Sequence, residues 1–151
     1  FPLVVKPNNN GSSVGVTIVK QKDELSGAFN EALNVSREAL IQEYVGGREV
    51  TCGVLDQGFT GTEFALLPTE IIPRASSFFD YQAKYSPGGS EEITPPKLPE
   101  HVIREIQKTA LSLHRLIGCR GFSRVDMILD RSYSETSFSY LCIKSLIYLC
   151  I

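Results

Sequence analysis

The sequence has no Trp and a single Met, and its four cysteines, Cys52, Cys119, Cys142 and Cys150, never form a C-x-x-C pair. That spacing disfavours a structural zinc site and reads as free thiols in a reducing compartment. An excess of one charge is missing too. Fifteen Lys and Arg against 17 Asp and Glu leave a formal net charge of −2. Without a basic field, nucleic acid is not expected as a partner. Long apolar runs are also absent. The longest apolar-leaning stretch, FSYLCIKSLIYLCI at 138–151, has 14 residues and carries Lys144, whereas a spanning helix takes about 20. The opening FPLVVK has no signal-peptide pattern, so a cytoplasmic protein with no membrane partner is expected. Neither G-x-x-x-x-G-K-[ST] nor G-x-G-x-x-G occurs, which removes the two commonest phosphate-loop signatures.

What remains is an ordinary globular composition, 42% apolar and 21% charged over 151 residues, enough for one domain or a piece of a larger one. The chain starts at Phe1 and enters directly into a strand, which reads as a fragment. LVVK at 3–6 is a short buried strand, and VTIV at 16–19 a second; together they predict a hairpin with a long turn-rich tip, Pro7 to Gly15. Residues 23–35 predict a helix with Leu25, Ala28, Phe29, Ala32 and Leu33 on one face and Asp23 at its start. Residues 39–44, 48–55 and 63–72 read as strands, the last interrupted by Pro68 and ended by Pro73. The stretch 74–97 reads as one long irregular loop. A second helix is predicted over 99–117, with Pro99 in its first turn, a stripe of Ile103, Ile106, Ala110, Leu113 and Ile117, and Gly118 at its end. His101 and His114 fall off that stripe and are expected to face solvent. Residues 122–129 predict a strand, and some β character persists in 138–151. The class is α+β, a mostly antiparallel sheet with helices packed on one side.

Four places could carry chemistry. Lys6 precedes a Gly/Ser loop whose backbone amides could cradle an anion; a plain hairpin turn with a surface lysine is the alternative. In FSRVDMIL, period 2 puts Arg124 and Asp126 on one face and Val125, Met127 and Leu129 on the other. This is either an ion pair or a metal-binding carboxylate beside a cation for developing negative charge. Lys84 and Tyr85 lie on the 74–97 loop before Gly88 and Gly89, consistent with a closing lid or with a surface loop anchored by Phe78 and Phe79. Glu43 to Glu49 combine backbone and carboxylates that could meet an adenine and a ribose. Ser12 has no His/Asp partner for a nucleophilic triad.

VVKPNNNGSSVGV, EYVGGREVTCGVL, FFDYQAKYSPGGSEE and GCRGFSRVDMILD, in this order and at these distances, resemble the D-alanine–D-alanine ligases of the ATP-grasp superfamily over about residues 1–130. The resemblance implies an ATP-grasp core at 1–130 and an aberrant tail at 131–151. It implies an enzyme that joins two D-alanines for peptidoglycan, ATP phosphorylating one carboxylate before the second amine attacks. Lys6 and Lys84 would contact ATP phosphates. Ser12 and Ser13 would sit in the closing loop and Tyr85 would be tied to it. Gln42, Glu43, Tyr44 and Val45 match the adenine-holding segment, and Glu49 the ribose carboxylate. Arg124 would stabilise the tetrahedral oxyanion, and Asp126 would hold Mg2+ or Mn2+. The family is commonly dimeric, so a homodimer is implied for the whole enzyme. Two departures follow. Gln42 stands where the family has an acidic residue. After Asp130, RSYSETSFSYLCIKSLIYLCI replaces the family's Glu-x-Asn metal ligands, as a reading-frame error or gene decay would, and this chain is expected to lack ligase activity.

Overall fold

The computed structural model describes residues 1–10, 13–56, 62–73, 89–130 and 141–149. It divides the chain into two compact units, Phe1–Val45 with Pro73–Glu91, and Gly46–Ile72 with Glu92–Ile151.

The first unit is a three-stranded antiparallel sheet backed by one helix. Strand β1 (Leu3–Pro7) is central, flanked by β2 (Thr17–Val19) and β3 (Ala39–Glu43). β1 and β2 pair Leu3 with Val19 and Val5 with Thr17, which makes the expected hairpin. Helix α1 (Leu25–Val35) follows a short 3-10 turn. At that turn the Glu24 carboxylate accepts the amides of Lys20 and Gln21, occupying donors near the helix start. Val5, Val19, Ala28 and Ala32 form the core between sheet and helix. Phe29 and Leu33, expected on the buried face, are each more than a third exposed. The small Ala28 and Ala32 bring the helix close to the sheet and leave the larger side chains at its flank.

The second unit is a larger antiparallel sheet carrying helix α2. Its strands are β4 (Gly47–Asp56), β5 (Glu63–Ala65), β6 (Thr69–Pro73), β7 (Ser90–Ile93), β8 (Phe122–Asp130) and β9 (Leu141–Leu149). The order is β7-β6-β4-β8-β9, with β5 also pairing β4. Both sheets pair their strands antiparallel, as the α+β class predicts. The strand expected at 63–72 is two strands, because Pro68 lacks the N–H a continuous ladder would use. The loop expected at 74–97 contains β7; its polar SEEI has no apolar alternation to announce it, and residues 74–88 lie outside the described residues. The β character noted in 138–151 is realised as β9, paired antiparallel along β8 with one irregularity at Asp126/Met127.

Helix α2 spans Glu100–Leu116 with Pro99 as its N-cap residue, one position before the first turn. Its buried row is Val102, Ile106, Ala110 and His114, packed on Val50, Cys52, Val54, Val125, Met127 and Leu129. The expected stripe is thus rotated. Ile117 lies beyond the helix and is 45% exposed. His114, expected in solvent, is fully buried, with Nδ1 2.7 Å from Ser123 Oγ. A hydrogen-bond partner on the next strand is what lets a polar ring occupy a core position. His101 is exposed, as expected. Gly118, at φ +69°, ends the helix in the left-handed conformation that favours glycine.

Candidate functional site

Strand alternation sorts the candidate residues onto particular faces. In the first unit, Val5 and Val19 face α1, so Lys6 and its direct partner Leu40 face the opposite way, together with the pair Val4 and Gln42. Lys6 and Gln42 are diagonal neighbours on that helix-free face. Lys6 is half-buried.

The backbone of β3 is sorted too. Tyr44 donates its N–H to the Pro2 carbonyl at 3.2 Å, and Asn8 donates to the Glu38 carbonyl at 3.0 Å. With the Val4–Gln42 and Lys6–Leu40 register, the peptide groups of even-numbered β3 residues turn toward β1. Those of Ala39, Ile41 and Glu43 turn to the outer edge, where no strand pairs among the described residues.

The Gly/Ser loop is held at both roots. On one side Asn8 Nδ2 donates to Glu38 Oε2 and Ser36 Oγ to Asn9 Oδ1, both at 2.7 Å. On the other, Gly15 has φ +72°, and a Cβ there would lie 2.8 Å from Val35 Cγ2 and 3.0 Å from Pro7 Cγ. Ser13 has φ 58°. Ser12, Lys84 and Tyr85 lie outside the described residues.

In the second unit, α2 covers the face of Val50, Cys52 and Val54. The opposite face carries Glu49 beside Ile71 and Ile128, Thr51 beside Thr69 and Asp126, and Gly53 beside Arg124. Three sequence candidates, Glu49, Arg124 and Asp126, thus share one face. Arg124 donates to Asp126 through Nε at 2.9 Å and Nη2 at 3.1 Å. The ion-pair alternative is the arrangement present. Asp126 also accepts a 2.8 Å hydrogen bond from Thr51 Oγ1. The Arg124 side chain is 51% exposed and that of Asp126 17%. An ion pair with one partner this exposed contributes about 0–1 kcal/mol, so an incoming anion can redirect the guanidinium at little cost.

Two contacts escaped the sequence reading. Thr51 alternates with Glu49, but its pairing with Asp126 depends on a register that local sequence does not encode. Arg48 forms a two-pronged ion pair with Glu70, both contacts 2.6 Å, and donates to the Lys97 carbonyl at 3.1 Å. Glu70 is nearly buried.

Comparison with known proteins identifies the family. The family described as "D-ala D-ala ligase C-terminus" matches residues 1–138. The D-alanine–D-alanine ligase of Geotalea uraniireducens is 42% identical over 129 residues, 85% of this chain and 39% of that protein. That of Syntrophobacter fumaroxidans is 43% identical over 131 residues, 86% of this chain and 41% of that protein. Among solved structures, the VanG D-Ala:D-Ser ligase from Enterococcus faecalis has a TM-score of 0.80 at 32% identity, covering 98% of this chain and 40% of that one. The D-alanine–D-alanine ligase from Bacillus anthracis in complex with ATP has a TM-score of 0.71 at 26% identity, covering 98% and 41%. The chain spans about two fifths of the length of these relatives.

Proposed function

The chain belongs to the D-ala D-ala ligase C-terminal family, and from that premise we propose that residues 1–130 are the ATP-grasp core of a cytoplasmic ligase, with 131–151 appended to it. The whole enzyme, working as a homodimer, joins two D-alanines for peptidoglycan. The observation that carries this reading is the gathering of Glu49, Thr51, Arg124 and Asp126 on the sheet face that α2 leaves uncovered.

The chemistry assigns work to residues as follows. The outward peptide edge at Glu43, with Tyr44 and Val45 following it in the chain, suits an adenine, which presents a donor and an acceptor side by side; Gln42 adds a side-chain amide. Glu49 takes ribose hydroxyls. Lys6 and Lys84 meet the phosphates as point charges. Ser12 and Ser13 close over them, with Tyr85 tying the lid to that loop and fitting D-alanine as second substrate. ATP phosphorylates the carboxylate of the first D-alanine, and the amine of the second attacks that acyl phosphate and expels phosphate. Arg124 swings from Asp126 to the oxygen that gains charge in this attack. Its role is electrostatic, since phosphoryl and acyl transfer need placed positive charge more than covalent help.

The described residues do not fit a resident metal ion. Mg2+ or Mn2+ takes about six oxygens, no group of three His, Cys, Asp or Glu lies together among them, and Asp126 already accepts from Thr51 and Arg124. A divalent ion therefore belongs to the substrate, arriving on ATP, with Asp126 as the residue to meet it. The same engagement of Asp126 favours a second reading for the chain by itself, a nucleotide-binding module without catalysis. ATP binding by calorimetry and D-alanine-dependent ADP release decide between them. The expected result is binding without turnover. Turnover would make this chain a working ligase, and absence of binding would overturn both readings.

A further inference from the structure

We propose that the Arg48–Glu70 pair is a positioning device that sets the ribose selectivity of the nucleotide site; this rests on the reading of Glu49 as the ribose carboxylate. Arg48 and Glu49 are consecutive on β4, so their side chains leave opposite faces of the sheet. On the α2 face, the Arg48 guanidinium grips Glu70 of β6 through two 2.6 Å contacts and reaches the Lys97 carbonyl just before α2. β4 is thereby fastened to β6 and to the entry of α2 at the residue next to Glu49.

Three features make this a setting of geometry. Glu70 is directly paired with Val50 and Ile71 with Glu49, so the clamp spans the diagonal immediately behind Glu49. Glu70 is 6% exposed, and a planar fork on a nearly buried carboxylate fixes orientation as well as distance. The strand start is also fixed from the β8 side: a Cβ on Gly47 would run into the Leu129 carbonyl oxygen, so the backbone there can approach only as glycine. Glu49 is the first candidate site residue after that start. Its carboxylate can receive two ribose hydroxyls only if the strand beneath it neither tilts nor slides.

The test uses the full chain and compares ATP with 2′-deoxyATP by calorimetry. The original chain should prefer ATP about tenfold, the order expected for one hydrogen bond to a charged group. Glu49→Ala, which leaves no acceptor for a ribose hydroxyl, should abolish the preference; if it does not, or if ATP does not bind, the ribose reading fails and the clamp loses its object. Given that control, Glu70→Gln and Arg48→Met should reduce the preference below threefold while leaving the affinity for 2′-deoxyATP unchanged. Arg48→Lys, which keeps the charge without the fork, should fall between. A merely structural clamp would weaken both nucleotides equally, and that outcome overturns the proposal. So does full retention of the preference, and so does loss of the fold in both Glu70→Gln and Arg48→Met, since the pair would then hold the protein rather than the site.

Discussion

Lys6 stands on the helix-free face of β1, at the last turn of the strand before the Gly/Ser loop. A charge-assisted contact to phosphate contributes roughly 1.5–3 kcal/mol, so Lys6→Ala should weaken ATP binding about 10- to 100-fold by calorimetry, and unchanged affinity would remove Lys6 from the site. Cys52 is the opposite kind of residue. It is fully buried, and burial pushes its thiol from 9.0 up to about 11. The thiolate is the nucleophile, so iodoacetamide at pH 8 should label Cys52 far more slowly in the folded chain than in guanidinium; equal rates would contradict that burial. At this scale the sequence was readable wherever period 2 alone decides the face, as for Arg124 and Asp126. It was unreadable for Thr51, which reaches Asp126 across 75 positions of chain. It misled at His114, because an amphipathic ring takes its address from its partner, and Ser123 lies on the following strand.

Helix α2 and strand β8 are joined by that buried pair. Among the described residues His114 Nε2 has no hydrogen-bond partner, and Nδ1 pairs with Ser123 Oγ. Ser123→Ala should cost about 1–3 kcal/mol by leaving the ring wholly unpaired. The double variant His114→Leu/Ser123→Ala should cost less than the sum of the single changes, as urea denaturation of the four proteins will read; strict additivity would deny the coupling. Long periodic elements such as α2 and β8 were legible within a residue or two. The division of 63–72 into β5 and β6, and the strand β7, were not: Pro68 breaks the first ladder, and the polar SEEI of β7 shows no apolar alternation, being held by pairing with β6. The boundary between the two units was not legible, since nothing local at Val45–Gly46 distinguishes a strand-to-strand turn from a passage between compact units.

For the whole molecule, protonation sets limits on stability from both sides. Arg115, donating to Glu63 at 2.8 Å, holds that carboxyl below the usual carboxylate range, and Arg104 does the same to Glu100. Groups whose folded pKa is lowered stabilise above their unfolded value, and this contribution disappears as pH falls through the carboxylate range. Cys52, raised by burial, has the reverse sign: its contribution is complete below pH 9 and is lost on the way to about 11. Urea midpoints should therefore plateau near neutrality; Cys52→Val should flatten the alkaline limb and Arg115→Ala should make the acid limb shallower, and identical curves would refute the assignments. The fold class was legible at this scale from the helix and strand periods, and the family from four segments spread over the chain. The outer margin of β3 has one more consequence. Leu40 and Ile41 are more than two fifths exposed on a strand whose odd-numbered peptide groups have no neighbouring strand among the described residues. Such a margin is a template for another chain's strand. An adenine seated there would compete with intermolecular pairing, so ATP should act as a solubiliser, delaying the rise of light scattering in concentrated solutions, while inorganic triphosphate, lacking a base, should not.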